Sequence, residues 1–331
     1  MTTIKDVAKR AGVAVSTASL AINHSDRVSK ETAQKVLRAA AELHYQKNGW
    51  ARDLKMKKTQ MIGLVLHDLS GSFYAPIIKG IEQTLHSYGY GLIACSTLGE
   101  NLGTAERFLR ERRVDGVIVF SSDIKDEMLC EVSREKFPIV VLDRELSHPN
   151  LYSVVVHNHQ GGYQAAEHLI KMGHTAIGYI SGPSNNRDSQ LRTEGFNQCL
   201  AKYQHKPVPS IWHIKGDYSQ QGGYQAAKLL IQQKTLPTGV FVSNDQMAIG
   251  ALEAFSEAGI EVPQTIQIVG FDDIELAKYI RPSLTTIMQP KFEMGATAAH
   301  LIIQHLQGDE PNKQTELPTE LIQRESTRPL L

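Results

Sequence analysis

Apolar positions recur at helical spacing at the start of the chain and as short unbroken runs from residue 61 onward. Over residues 4–11, Ile4, Val7, Ala8 and Ala11 fall on one helix face, and Thr3 with Asp6 has the form of a capping box. Gly12 permits a tight turn, and residues 15–22 form a second short amphipathic stretch. Ser29 is placed to cap a third helix running to about His44, with Ala33, Val36, Leu37, Ala40 and Leu43 expected on its inner face. Three short helices with a glycine turn between the first two predict a helix-turn-helix head. The segment GWARDLKMKKT that follows is basic and too short to carry a core of its own.

From Met61 the period changes. MIGLVL, GLIACS, GVIVF, PIVVL, SVVV, AIGYI, GVFV and IQIVG are short apolar runs separated by helical stretches. This alternation predicts an α/β body with parallel sheets covered on both faces. About 270 residues suit two such layers better than one, with a boundary near His157–Gln160. GGYQAA occurs at Gly161–Ala166 and again at Gly222–Ala227, each time where a helix is due to open. GYGLIA, at Gly89–Ala94, has the glycine spacing of a dinucleotide loop, but it follows a helix and enters a strand, so a helix C-cap is the better reading.

Charge sharpens this division. The 331-residue chain has 35 basic and 35 acidic side chains, yet residues 1–60 hold 12 Lys and Arg against 5 acids. A head of +7 on a body of −7 points to an anionic partner for the head, most simply nucleic acid. No apolar run reaches the roughly 18 residues of a membrane helix, and the charged start MTTIKDVAKRAGV has no secretory h-region. Cys95, Cys130 and Cys199 are far apart and fit a reducing compartment without metal-ligand spacing. His157 and His159 have no evident third ligand, and Asn23-His24-Ser25 has no meaning as a glycosylation acceptor without secretion. No nucleophile elbow, P-loop or zinc-protease helix occurs, so neither catalysis nor a cofactor is expected.

The head sequence TIKDVAKRAGVAVSTASLAIN, then RVSKETAQKVLRAAAELHY and ARDL, resembles the lactose-repressor (LacI/GalR) family of bacterial regulators. The resemblance continues through IGLVLHDLSGSFYAPIIKGIE, HLIKMGHTAIGYISGP, RTEGF, VSNDQMAIGALEA, VGFDD and RPSLTTIMQP, and so covers essentially the whole chain in order. It implies a head at 1–46, a hinge helix and linker at 47–59, and a periplasmic-binding-protein-like body at 60–331. Within the body it implies an N subdomain of about 60–158 plus 290–318 and a C subdomain of about 159–289 plus 319–331.

The resemblance also assigns expected roles. Val15–Asn23 becomes the recognition helix, with Val15, Ser16 and Leu20 at base-reading positions. Thr17, Ser19, Asn23, Ser29 and Thr32 fall at phosphate-contacting positions, where hydroxyls and amides fix register. In the hinge, Leu54 matches a minor-groove wedge, and Asn48 and Arg52 join the expected DNA contacts, with Lys55, Lys57 and Lys58 available to nearby phosphates. Ala14 stands in place of a capping Ser, Leu20 in place of a common Arg, and Lys47 in place of Pro. For an effector the expected residues are Phe73, Tyr74, Arg192, Tyr218, Asn244 and Asp272, at the carboxyl ends of strands or facing them. Arg, Asn and Asp suit hydroxyls and aromatic faces suit the apolar side of a sugar, although Asn244 and Asp272 also have the form of loop caps. Gly71-Ser72 replaces Asn-Pro and His157 replaces Asp near this cleft.

Together these imply a cytoplasmic, nucleoid-associated transcriptional repressor that binds a near-palindromic operator and answers to a small carbohydrate-like effector. The alternative within the family is co-repression, by a metabolite or with a partner protein; a transport binding protein or an enzyme is more remote. Only seven residues follow a strand at Glu320–Arg324, too few for a tetramer-forming helix, so a homodimer is expected.

Overall fold

A computed structural model of the chain describes residues 2–23, 27–45, 58–133, 137–142 and 144–329. The chain divides into two compact units, Met1–Thr59 and Gln60–Leu331.

The first unit contains α1 (Ile4–Ala11), α2 (Val15–Asn23) and α3 (Lys30–Glu42). Asp6 accepts hydrogen bonds from the Thr3 N–H at 2.8 Å and the Thr3 hydroxyl at 2.7 Å, which fixes the start of α1. Gly12 closes α1 at φ 67°, a left-handed conformation that disfavours a side chain. Ser29 caps α3 by accepting from the Thr32 N–H at 3.2 Å. The core is small and mostly alanine: Val7, Ala8, Ala18, Ala21, Val36 and Ala39. Leu37, expected inside, is 50% exposed. The buried row is Ala33, Val36 and Ala39, and Leu37 lies one residue round the helix from it, since residues three apart share a face and adjacent ones do not.

The second unit is built on two six-stranded sheets. Its elements are β1 (Met61–Leu66), α4 (Tyr74–Ser87), β2 (Gly91–Ser96), α5 (Leu102–Glu111), β3 (Gly116–Phe120), α6 (Asp126–Ser133), β4 (Ile139–Val141) and β5 (Leu151–Val156). Next come α7 (Asn158–Lys171), β6 (Ile177–Ser181), α8 (Arg187–Lys202), β7 (His213–Lys215), α9 (Gln220–Ile231), β8 (Gly239–Val242), α10 (Asp245–Glu257) and β9 (Gln267–Asp272). β10 (Thr285–Met288), α11 (Lys291–Gln307), β11 (Gln314–Leu317) and β12 (Glu320–Ile322) complete it.

The first sheet has the order β11-β5-β4-β3-β1-β2 and the second β12-β10-β9-β8-β6-β7. Pairing is parallel throughout except for β12, which runs antiparallel to β10. The chain therefore passes between the sheets three times: from β5 to α7, from β10 to α11, and from β11 to β12. Each sheet has an apolar core on both faces, as the continuous Val/Ile/Leu strands require. β7, β10 and β11 were not legible as strands, because HIK, TTIM and QTEL are short and mostly polar or mixed.

Three helix pairs, α4 with α11, α7 with α8 and α9 with α10, meet through reciprocal glycines. A Cβ on Gly162 of α7 falls 2.0 Å from the Arg192 carbonyl oxygen, and one on Gly195 of α8 falls 1.8 Å from that of His159. Gly80 and Gly295 do the same for α4 and α11, as do Gly223 and Gly250 for α9 and α10. The duplicated GGYQAA is thus a helix opening whose second glycine admits a partner backbone. Gly89, just past the end of α4 at φ 74°, bears out the C-cap reading of GYGLIA.

Candidate functional site

In the helical unit, Ala18 and Ala21 turn α2 toward the core and leave its opposite face to solvent. Val15 (44% exposed), the first residue of α2, and Leu20 (39%) both reach solvent with exposed Ser16 and Asn23, while Thr17 and Ser19 are half-buried. The Asn23 amide donates to the Ser19 carbonyl at 3.0 Å. Exposed Ser29 and half-buried Thr32 share a 2.8 Å hydroxyl contact at the start of α3. The expected hinge residues Asn48, Arg52 and Leu54, like Lys47, Lys55 and Lys57, lie outside the described residues.

In the second unit the expected effector residues converge where the two sheets meet. Arg192 projects from α8, its backbone set by the close approach of Gly162. The side chain is 4% exposed and its carbon Cζ lies 3.7 Å from the centre of the Phe271 ring. Its Nε donates to Asn158 Oδ1 at 2.8 Å and its Nη1 to the Ser243 carbonyl at 2.6 Å. Asp272, at the end of β9, comes within 3.8 Å of Nη1. Among the described residues no hydrogen bond engages Nη2. Asn158 in turn donates to Asp188 Oδ1 at 2.8 Å, so one amide links the arginine to a second carboxylate.

The backbone here is strained. Tyr218 (φ 70°), Asp272 (φ 113°) and Asp273 (φ 50°) are all non-glycine residues at positive φ, a cost that sites of binding tend to carry. Lys291, the first residue of α11, donates to the carbonyls of both Asp272 and Asp273 and holds that turn from the other sheet's helix. Gln289 donates to Asp272 Oδ1 at 2.6 Å. Beneath lies Asp245, fully buried, accepting from Thr286 at 2.6 Å and from the Ile274 N–H at 2.9 Å. Burial, reinforced by neighbouring Asp272, pushes the Asp245 carboxyl well above the usual carboxylate range. Burial likewise raises Asp188, Asp272 and the Tyr218 phenol.

Asn244 caps α10, accepting from the Met247 N–H at 3.0 Å and donating to the Tyr218 carbonyl at 3.0 Å. Its amide therefore anchors the Tyr218 turn. Phe73 and Tyr74 follow β1 and pack edge-to-face with each other and with Phe120, at centroid separations of 5.4 to 5.8 Å. Phe73 touches the cores of both sheets, and the Gln246 amide reaches Ser72 Oγ at 3.2 Å across the same junction. Beside Asn158 and Asp188 a cavity of about 580 Å³ opens between the sheets.

The sequence reading missed Asn158, Asp188, Phe120, Ser243, Gln289 and Lys291. Phe120 ends a strand that was recognised, and Asp188 lies one helical turn before Arg192, so strand ends and helical spacing offered a signal for both. Lys291 and Gln289 had none, because they follow the strand that was not recognised.

Comparison with known proteins identifies the family. Residues 3–48 match the model for bacterial regulatory proteins of the lacI family, and residues 166–327 match that for a periplasmic binding protein-like domain. The chain is 36% identical over 334 residues, all of both chains, to the HTH-type transcriptional repressor PurR of Photobacterium profundum. It is similar to the structure of the lac repressor bound to ONPG in the repressed state, with a TM-score of 0.84 and 30% identity, covering 98% of this chain and 99% of the other. It is also similar to a transcriptional regulator CelR–cellobiose complex, with a TM-score of 0.74 and 29% identity, covering 99% and 100%. These relatives are transcriptional repressors or regulators and not enzymes. The chain belongs to the lacI family of bacterial regulatory proteins, as a DNA-binding transcriptional repressor with a ligand-binding effector domain.

Proposed function

We propose that the effector is a small carbohydrate-like molecule held between the two sheets, and that its binding releases the operator. The observation that carries this reading is the buried network of Arg192, Asn158, Asp188 and Asp272, with the Tyr218 ring 5.9 Å from the Arg192 guanidinium and the Phe73 ring 5.9 Å from Lys291. Carboxylates accept from hydroxyls, the guanidinium donates to them, and ring faces cover the apolar side of a pyranose or furanose. The structural relative solved with cellobiose supports the same class. Ligand and operator then oppose each other, and the coupling is reciprocal.

At the DNA, Val15, Ser16 and Leu20 read base edges in the major groove, while Thr17, Ser19, Asn23, Ser29 and Thr32 hold phosphates. Asn48 and Arg52 continue the contact and Leu54 wedges the operator centre. Two copies of the chain read a near-palindromic site. Leu20 has no donor, so it favours the thymine methyl where an arginine would hold guanine.

Two experiments test these assignments. In calorimetry and gel shift, Asp272→Ala is expected to bind operator normally and to lose its response to the sugar that acts on the wild type; an unchanged response refutes the cleft assignment. In selection from random DNA, wild type is expected to favour thymine opposite residue 20 and Leu20→Arg to favour guanine, a change of roughly 1–3 kcal/mol. The same guanine selected by both proteins refutes the docking of α2.

A further inference from the structure

We infer that Lys291 is a strap between the two sheets, a positioning residue that ties the Asp272–Asp273 turn to the first sheet and thereby sets operator affinity. This rests on the reading above that the space between the sheets governs operator binding. It goes beyond that reading by assigning the mechanical link to one side chain.

The turn holds Asp272 at φ 113° and Asp273 at φ 50°, a shape that surrounding groups must maintain. Part of that support comes from the turn's own sheet. Arg324, just past β12, donates to the Asp273 carboxylate at 2.6 Å and to the Leu284 carbonyl at 2.8 Å. The grip on the main chain comes from the other sheet. Lys291 Nζ donates to the carbonyls of Asp272 and Asp273 and lies 5.9 Å from the centre of the Phe73 ring. Lys291 opens α11, and α11 is built into the first sheet's core. Ala298, Ala299 and Ile302 cluster there with Ile62, Leu64 and Ile118, and Gly295 closes on the Ile77 carbonyl of α4. A shift of the first sheet therefore pulls on two carbonyls of the second, one of them belonging to the residue whose carboxylate stands 3.8 Å from Arg192.

Burial separates a strap from a passing contact. Lys291 is 6% exposed, and an ammonium is buried only where other groups offset its lost hydration. Asp272, Asp245 and Asp273 supply that offset, yet burial still pulls the amine below the usual lysine range. By contrast, the Gln246–Ser72 contact at 3.2 Å, which also crosses between the sheets, is exposed and exchanges readily for water. The arrangement that binds operator is then the one in which the strap is closed. A chain without the strap spreads over several arrangements, and its operator affinity falls with the fraction left in the competent one.

The test compares Lys291→Met, Lys291→Arg and Arg324→Met in the full chain. Amide hydrogen exchange is followed by mass spectrometry in peptides covering the turn at 271–276 and the passages at 156–160 and 317–320. Operator affinity is measured by fluorescence anisotropy on the site that wild type selects from random DNA. Lys291→Met is expected to speed exchange at the turn and at both passages, and to weaken operator binding at least about tenfold. Lys291→Arg, which keeps a cationic donor, is expected to stay within about threefold of wild type. Arg324→Met loosens the same turn from within its own sheet. It is expected to speed exchange at 271–276 alone and to keep operator affinity within about threefold of wild type. Urea unfolding reports that each variant has folded, and Lys291→Gln takes the place of Lys291→Met if that chain does not fold. Faster exchange confined to the turn in Lys291→Met, or an equal loss of operator affinity in Arg324→Met, makes Lys291 a local support. Either result overturns the inference and leaves the cleft reading standing. Faster exchange at both passages with unchanged operator affinity breaks the link between sheets and operator, and overturns the cleft reading and this inference together.

Discussion

The second sheet presents its polar groups to the cleft from below the surface: Arg192, Asn244, Asp245 and Asp272 are none of them more than 7% exposed. The first sheet presents half-buried rings, Phe73, Tyr74 and Phe120, which pack edge-to-face with one another and against the apolar core. On the polar wall each group is held by its neighbours before any ligand arrives, so removal of one leaves others desolvated and unpaired. On the aromatic wall removal of the Phe73 or Phe120 ring subtracts contact area and leaves no side-chain polar group behind. The same topology thus yields one wall that fails as a unit and one that degrades by degrees.

The largest effect expected from this contrast is that of Arg192→Ala. It strands Asp272 and Asp188 beside each other, and truncating one member of such a buried set costs roughly 3–5 kcal/mol. Urea unfolding monitored by tryptophan fluorescence, which reports on the second sheet through Trp212, is expected to show that loss, and Arg192→Ala/Asp272→Asn to recover part of it. Equal loss in the double variant breaks the claim that the wall acts as a unit.

Acid is expected to separate the two sheets next. His168, packed behind the second sheet and bonded to Thr327 at 2.8 Å, has its pKa pushed by burial down to about 4. His174 is shifted the same way by its own burial. Above the unfolded pKa of about 6.5 neither state is protonated, and the stability is fully present. As pH falls from about 6.5 toward 4, only the unfolded chain binds the proton, and roughly 3 kcal/mol is lost. His168→Gln is expected to flatten the acid limb of the melting profile. A limb of unchanged steepness in that variant removes His168 as the cause.

The smallest effect sharpens the other half of the comparison. Phe73→Leu keeps an apolar side chain between the two cores and is expected to cost about 1 kcal/mol in urea unfolding. The same substitution is expected to weaken effector binding only several-fold in calorimetry. A loss as large as that of Arg192→Ala shows that the rings are interlocked as tightly as the polar groups.

These differences also explain what the sequence made legible. The head was readable because helical period, a capping box and a glycine turn all act within a few residues of each other; Leu37 misled because a leucine one step off the stripe still looks apolar. The doubly wound body was readable from strands such as MIGLVL and GVIVF, whose burial on both faces demands unbroken apolar runs. β7, β10 and β11 were not, since their pairing is decided by a neighbouring strand and not by their own residues. Arg192 and Asp272 were found from the motifs around them. Asn158 and Lys291 are ordinary residues at helix starts, and only the three passages of the chain between sheets bring them to the same place.

The reciprocal glycine at position 162 bears on how such a regulator can be retuned. Its missing side chain lets the Arg192 backbone sit against α7, while Asn158, four residues earlier on the same helix, grips the Arg192 side chain. A single methyl at 162 would push the arginine's main chain away from the amide that orients it. A combinatorial library seeking new ligand preferences therefore has its freedom on the aromatic wall, at Phe73 and Phe120. At Gly162 and Gly195 it has almost none: variants there are expected to fail screening for want of an aligned guanidinium, whichever ligand is offered.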